Sequence, residues 1–157
     1  MSTYRVRAAT LDDVDALVHH RLGMFTDMGT DIDRGTVEAA FRRWLADMMP
    51  AGSYRGWVAT ADGDEIVGGG GITVLPWPPG PRYVGGRIAF VYNVFVEKPH
   101  RRRGLARHIM ETIHRWCRDN DIGVVGLNAS EEGRALYERM GYRPAANPLM
   151  FAAVGRD

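Results

Sequence analysis

Three arginines, a glycine and an alanine carry the first recognisable chemistry of the chain: Arg101-Arg102-Arg103-Gly104-Leu105-Ala106. Guanidinium groups are permanent cations whose N–H forks match anionic oxygens two at a time. A glycine in such a turn removes the Cβ that would hold an anion away from the backbone. Before the turn, Val91-Tyr92-Asn93-Val94-Phe95-Val96 is rich in the β-branched and aromatic residues that favour a strand. After it, Leu105, Ile109, Ile113 and Trp116 step along one face of a helix. A strand entering a helix through a basic glycine turn leaves the first N–H groups of that helix without acceptors. Those groups, the positive end of the helix dipole and the arginines together make a site for a phosphate-like anion.

The positive charge is local. Over 157 residues the formal net charge is only +1, with no basic stripe beyond His100 to His108, so no nucleic-acid or anionic-membrane partner is expected. A hydrophobic fraction of 45% and a charged fraction of 25% fit one globular domain over residues 1–157. No apolar run approaches the ~18 residues of a membrane span. The stretch Met1 to Arg5 lacks the apolar core of a secretory leader. Cys117 is the one cysteine and adjoins the apolar helix face, so it reads as a packed thiol, with no disulfide. A cytoplasmic location is the resulting expectation. No His, Cys or carboxylate grouping has metal-ligand spacing, and no metal is expected.

Around the turn, the chain reads as alternating elements. Tyr4 to Ala8 alternates as a first strand. Thr10 and Asp13 form an acidic capping box opening a helix with Val14, Leu17, Val18 and Leu22 on its apolar face. Gly23 to Gly35 reads as irregular. A helix over Thr36 to Met49 follows, closed by Pro50 and Gly52. Tyr54 to Ala61 and Glu65 to Leu75 read as a hairpin about Asp62-Gly63-Asp64. The run Gly68 to Gly71 implies either a bulge and close backbone approach or a loosely packed edge. Pro76 to Pro81 is a stiff loop. Arg87 to Val96 suits the sheet centre, Arg103 to Asp119 is a helix, and Gly123 to Asn128 a short buried strand. Glu131 to Met140 is a helix with Ala135, Leu136 and Met140 inward and Gly141 at its C′ position. Leu149 to Val154 reads as a last strand, whose apolar edge would serve a homodimer.

Other phosphate-binding classes are excluded. The chain has no Gly-x-x-x-x-Gly-Lys-Ser/Thr run and no Gly-x-Gly-x-x-Gly after its first strand. The order of elements, the turn Arg101-x-x-Gly104-x-Ala106, and Leu136-Tyr137-Glu138-x-x-Gly141-Tyr142 together resemble the GNAT superfamily of N-acetyltransferases. The resemblance implies a mixed α/β fold, with a mostly antiparallel twisted sheet of six to seven strands flanked by about four helices. It implies acetyl-CoA as the acyl donor and a small-molecule or peptide amine as acceptor.

The resemblance also assigns roles. The N–H groups and guanidinium groups of Arg101, Arg102, Arg103, Gly104, Leu105, Ala106 and Arg107 would hold the pyrophosphate of coenzyme A. Val94, Phe95 and Val96 would pair with the pantetheine arm as a peptide pairs with a sheet edge, and a backbone N–H near Val94 would bind the developing oxyanion. Tyr137 would donate the proton to the leaving thiolate, being protonated at neutral pH. Ser130, seven residues earlier, stands where many members carry a cofactor-bonding Asn. Pro99 falls one residue later than the proline many members carry. On the acceptor side stand Phe25 with Met24 and Met28, Asn93, and Asn128, which either lines the cleft or caps a strand end. Asp27, Asp31 and Asp33 either attract a cationic amine or form a solvated loop; Trp77 and Tyr83 either wall the site or pack the proline loop. His19 and His20 cannot share a helix face, so at least one is on the surface. No acid stands at Ala89-Phe90-Val91, where some members place a general base. That departure keeps open a non-catalytic acyl-CoA-binding regulatory module on the same fold.

Overall fold

A computed structural model describes residues 3–155; Met1 and Ser2, at the head of the segment read for a leader, lie outside the described residues. The elements are β1 (Arg5–Ala8), α1 (Val14–Asp27), α2 (Arg34–Met48), β2 (Tyr54–Thr60), β3 (Ile66–Pro76), β4 (Arg87–Val96), α3 (Leu105–Asp119), β5 (Val125–Leu127) and α4 (Glu131–Arg139). The strands form one sheet in sequence order, β1-β2-β3-β4-β5. The first three pairings are antiparallel and β4–β5 is parallel, with α3 as its crossover. No helix among the described residues is long and apolar enough to cross a membrane.

Two sequence expectations change. The sheet has five strands among the described residues, not six or seven, because Leu149 to Val154 forms no strand. Alternating apolar residues make a strand only where a neighbouring backbone completes the ladder. Here β5 is a three-residue edge, and Leu149 and Phe151 stand 65% and 88% exposed. The apolar edge read as a dimer surface is therefore absent from this fold. The second change is that α1 runs through Gly23 to Asp27. Gly23 sits inside the helix, and a Cβ there would lie 2.9 Å from the Phe95 ring, so its smallness sets how closely α1 approaches β4. On α4, Ala135 faces outward, and Leu136 and Met140 are only half-buried.

The Thr10–Asp13 box and Gly141 stand at helix ends as expected, whereas α2 starts at Arg34, two residues before the expected Thr36, because Asp33 caps it. Asp13 accepts the Thr10 N–H at 2.8 Å and both Nη atoms of Arg7 at 2.8 and 2.9 Å. The Arg7 guanidinium holds the Asp13 carboxyl below the usual carboxylate range. Asp33 caps α2 by accepting from the Thr36 N–H at 3.1 Å, so it is a structural acid. Gly141 takes a φ of +96° after α4.

The sheet separates two cores. On one face α3 buries Leu105, Ile109, Met110, Ile113 and Cys117 against Trp57, Val67, Ile72, Val91 and Val96. Burial pushes the Cys117 thiol up to about 11, so it stays protonated. On the other face α1 and α2 bury Leu17, Val18, Leu22, Phe41 and Leu45 against Tyr54 and Val58.

The glycine run lies at the sheet centre and marks close approach rather than a loose edge. A Cβ at Gly69 would lie 2.5 Å from the Trp57 carbonyl oxygen and 3.1 Å from His20 Nδ1; one at Gly71 would lie 2.0 Å from the Tyr54 hydroxyl. Gly69→Ala therefore forces backbone against side chain, and chemical denaturation is expected to show a loss of about 2 kcal/mol or more. Gly80→Ala, where a Cβ meets nothing within 4 Å, is expected to stay within about 0.5 kcal/mol of the parent.

Candidate functional site

The site begins with an irregularity in β4. Gly69 pairs with Phe95 and Gly71 with Tyr92, so two residues of β4, Asn93 and Val94, stand opposite Gly70. Asn93 takes a φ of +60°, a left-handed conformation that asparagine tolerates better than most residues. This bulge turns Tyr92 and Asn93 toward the α1–α2 face together. Tyr92 packs against that core, and Asn93 donates to the Tyr54 hydroxyl at 3.1 Å while accepting from Arg21 at 2.7 Å. The bulge also ends the parallel ladder: β5 pairs with β4 only at Ala89, Phe90 and Val91.

Beyond that point one edge of β4 is open. The Glu97 N–H donates to the Val67 carbonyl on β3 at 2.8 Å, and Phe95 is paired with Gly69. Strand alternation therefore aims the N–H and C=O of Val94 and Val96 away from β3, into the gap left by β5. Their side chains pack on the α3 core, whereas Phe95 turns its ring to α1 and stacks on His20 at 5.4 Å between centroids.

This edge leads into the arginine turn. Arg102 and Gly104 both have left-handed φ, +60° and +77°, and a single helical turn over Lys98–His100 containing Pro99 sets the approach. Among the described residues, the N–H groups of Arg102, Arg103, Gly104, Leu105, Ala106 and Arg107 find no acceptor. A Cβ at Gly104 would meet nothing within 4 Å, so the space before these N–H groups is open. Leu105 is buried and Ala106 half-buried, anchoring the start of α3. Arg102 and Arg103 are exposed and have no carboxylate partner among the described residues, while Arg107 pairs with Glu111. Arg101 is turned inward: Nε donates to the Val96 carbonyl at 2.7 Å, Nη2 to Asp27 at 2.5 Å, and the guanidinium lies over Phe95 at 5.6 Å. It thus braces the turn against β4 and α1, and Asp27 is its counter-ion. The free N–H groups and the two exposed guanidinium groups fit a pyrophosphate, and the open edge fits an amide-bearing arm.

Tyr137 projects from α4 into the α3 core, half-buried, with its ring edge-on to Tyr142 at 5.8 Å. Burial raises its pKa, so the hydroxyl is protonated throughout the neutral range. Among the described residues that hydroxyl has no hydrogen-bond partner, which leaves its proton available to donate. Ser130 is the N-cap of α4 and accepts from the Gly133 N–H at 3.1 Å. Asn128 is exposed immediately after β5. Hollows of about 540 and 360 Å³ lie around α4 and the chain following it; neither is lined by any residue of β4 or the arginine turn.

The structure gathers residues that sequence reasoning did not single out. Arg21, Tyr54, Tyr92 and Phe41 surround Asn93 on the α1–α2 face, with Thr73 donating to Tyr92 at 3.3 Å. Burial pushes the Tyr54 hydroxyl up to about 12, so it too is neutral. A signal for Arg21 was present: Leu17, Val18, Leu22 and Phe25 place position 21 within the apolar stripe of α1. Phe25, expected in the acceptor region, lies under the Arg21 guanidinium at 5.1 Å.

The two histidines separate as expected: His19 is exposed and hydrogen-bonded to Glu97, while His20 is buried with Nδ1 unpartnered among the described residues. Loss of hydration, with the neighbouring His19 opposing further charge, pulls the His20 pKa down to about 4. A depressed histidine pKa means the unfolded chain binds the extra proton first. Stability is therefore expected to fall as pH drops from about 6.5 to about 4, by on the order of 3 kcal/mol from His20. His114, also depressed by burial, adds in the same direction, and Asp13 acts only at still lower pH. Denaturation curves across this window check it: the acid-side slope should flatten in His20→Met.

Comparison with known proteins follows the same geometry. The sequence profile described as the acetyltransferase (GNAT) family matches residues 18–142. Among curated proteins none matches. Among solved structures, a GCN5-related N-acetyltransferase from Ralstonia eutropha JMP134 is 30% identical, with a TM-score of 0.88 over 96% of this chain and 99% of that one. A predicted acetyltransferase from Clostridium acetobutylicum, solved with acetyl-CoA, is 22% identical, with a TM-score of 0.86 over 96% of each chain. Glucosamine-6-phosphate N-acetyltransferase from Arabidopsis thaliana is 18% identical, with a TM-score of 0.72 over 96% of this chain and 98% of that one. The last two are likenesses of fold.

Proposed function

The chain belongs to the acetyltransferase (GNAT) family, and on that premise we propose that it transfers an acetyl group from acetyl-CoA to a primary amine by direct attack of the amine on the thioester. The observation that carries the reading is the continuity of one open surface. The edge of β4 not paired with β5, where the Val94 groups and the Val96 N–H are free while the Val96 carbonyl accepts from Arg101, runs into a turn whose successive N–H groups have no acceptor among the described residues. That run matches the order of groups in acetyl-CoA, thioester first, then pantetheine amides, then pyrophosphate.

Acetyl-CoA supplies a thioester carbonyl carbon to the amine lone pair, so that a C–N bond forms and the C–S bond breaks. In the proposed arrangement, Arg102, Arg103 and the N–H groups up to Arg107 hold the pyrophosphate, and Gly104 lets it approach the backbone. Arg101 acts as a brace, because its guanidinium is engaged with Asp27 and Val96. Val94 and Val96 align the arm, with the Val94 N–H facing the carbonyl oxygen as it gains charge. Tyr137 gives its proton to the thiolate and regains one from water. Ser130 retains a hydroxyl proton for the cofactor while capping α4. With no carboxylate in the Asn93 cluster among the described residues, the amine's proton leaves to water. The acceptor enters from the α1–α2 face.

Isothermal calorimetry with acetyl-CoA and thiol release over an amine panel test this reading. Binding with turnover is expected; binding with no turnover on any amine supports the non-catalytic acyl-CoA-binding module instead. Gly104→Val is expected to weaken acetyl-CoA binding by ~10-fold or more, because φ there is +77° and a side chain enters the phosphate approach. Tyr137→Phe is expected to lower kcat by about 100-fold with acetyl-CoA affinity retained. Unchanged turnover in that variant removes Tyr137 from the chemistry.

A further inference from the structure

Three arginines held against the protein body have counter-ions, whereas Arg55, over the Trp116 ring at 4.7 Å, is exposed and has none among the described residues. Arg7 has Asp13, Arg42 has Asp15 and Glu38, and Arg101 has Asp27. Arg21 differs. It is half-buried on α1, and no carboxylate among the described residues lies within 4.0 Å of it. Its one hydrogen bond goes to a neutral group, Asn93 Oδ1 at 2.7 Å, through Nη1. The rings of Phe25 and Phe41 flank the guanidinium at 5.1 and 5.0 Å. Those faces leave the Nε and Nη2 donors with no acceptor among the described residues. The neighbouring side chains of Tyr54 and Tyr92 bring hydroxyls and no carboxylate, so among the described residues the cluster holds no acid.

The free donors of Arg21 are not sealed in the core, where His20 Nδ1 is the buried side-chain atom left without a partner among the described residues, so an incoming anion can reach them. The carboxylates that might have turned toward Arg21 are engaged elsewhere: Glu97 with His19, Asp27 with Arg101, and Glu38 and Asp15 with Arg42. Position matters as much as charge. Arg21 bonds the bulge residue Asn93, and the next residue, Val94, carries the N–H that faces the split strand edge. A group held by Arg21 thus lies beside the point where the acetyl carbon would be delivered.

We propose that the acceptor of this enzyme carries a carboxylate close to its amine, as a free amino acid does, and that Arg21 binds that carboxylate through its unpaired donors. This rests on the acetyltransferase reading and narrows it to a substrate class. The single guanidinium, with no second cation in the cluster, matches a monoanionic carboxylate better than a dianionic phosphate. Asn93 positions Arg21 by accepting from Nη1, which leaves the rest of the fork for the ligand.

The test compares each amino acid with the amine obtained by removing its carboxyl group, for example phenylalanine with phenethylamine and lysine with cadaverine, with phosphoethanolamine as a third arm. Thiol release at fixed acetyl-CoA gives kcat/KM. A preference of ~10- to 100-fold for carboxylate-bearing acceptors is expected. In Arg21→Gln that preference should collapse, chiefly through KM, and Arg21→Lys should restore part of it. Equal or better turnover of the decarboxylated amines or of phosphoethanolamine overturns the proposal, as does a preference that survives Arg21→Gln in a variant with parental Tm and acetyl-CoA affinity. Calorimetry of the same panel on the wild-type protein, with and without CoA, separates the two readings. Carboxylate-dependent binding abolished by Arg21→Gln, with no turnover anywhere, supports the Arg21 site while the transferase reading fails. No carboxylate-dependent binding and no carboxylate preference in turnover overturns the Arg21 site while the transferase reading stands on its own assay.

Discussion

The left-handed turn of Asn93 inside β4 is the constraint on which the rest of the site depends. A regular β4 would continue its ladder with β5 and close the sheet. Instead, one extra residue on β4 opposite Gly70 bends the strand, ends pairing with β5 at Val91, and exposes the polar edge of Val94 and Val96. The conformation persists because both ends of the Asn93 amide are occupied, one by Arg21 and the other by Tyr54. Buried polar groups satisfied in this way are costly to break and so hold a strained backbone in place. The same bulge puts the consecutive residues Tyr92 and Asn93 on one face, against α1 and α2.

Helix α1 is the second part of that arrangement. It meets the distal half of β4 and the arginine turn through Arg21 to Asn93, His19 to Glu97 and Asp27 to Arg101. Its close approach requires small residues on both sides: Gly23 against the Phe95 ring, and Gly69 under His20. Phe95 lies among His19, His20 and the Arg101 guanidinium, so one aromatic ring links the helix to the turn. The edge proposed for the cofactor and the face proposed for the acceptor are consequently two sides of one strand braced by one helix. A change in α1 packing would move both.

Residues with local jobs were readable before the fold was known. Thr10 and Asp13, the apolar face of α3, and Gly141 follow rules confined to one or two helical turns, and each stands where those rules put it. The basic glycine turn was equally readable, because free N–H groups at a helix start are a local consequence of helix geometry. Leu149 to Val154 was misread since its apolar alternation is also local, while a strand needs a partner that β5 is too short to provide. Arg101 shows the same limit at a single residue: its type announced an anion ligand, but Asp27, 74 residues away, takes its charge.

The order of elements from β1 to α4, the phosphate-type turn and the family resemblance are legible in the residues alone, because these rest on spacing within short windows. The bulge of β4 at Asn93, the choice of its open edge, the bracing of Arg101 by Asp27 and the lack of a carboxylate partner for Arg21 among the described residues arise only on folding. Each of these depends on contacts between residues far apart in the chain: Arg21 with Asn93, Tyr54 with Asn93, Gly70 opposite the bulge. A charge or a polar group has no fixed role until the fold supplies its partner or withholds it.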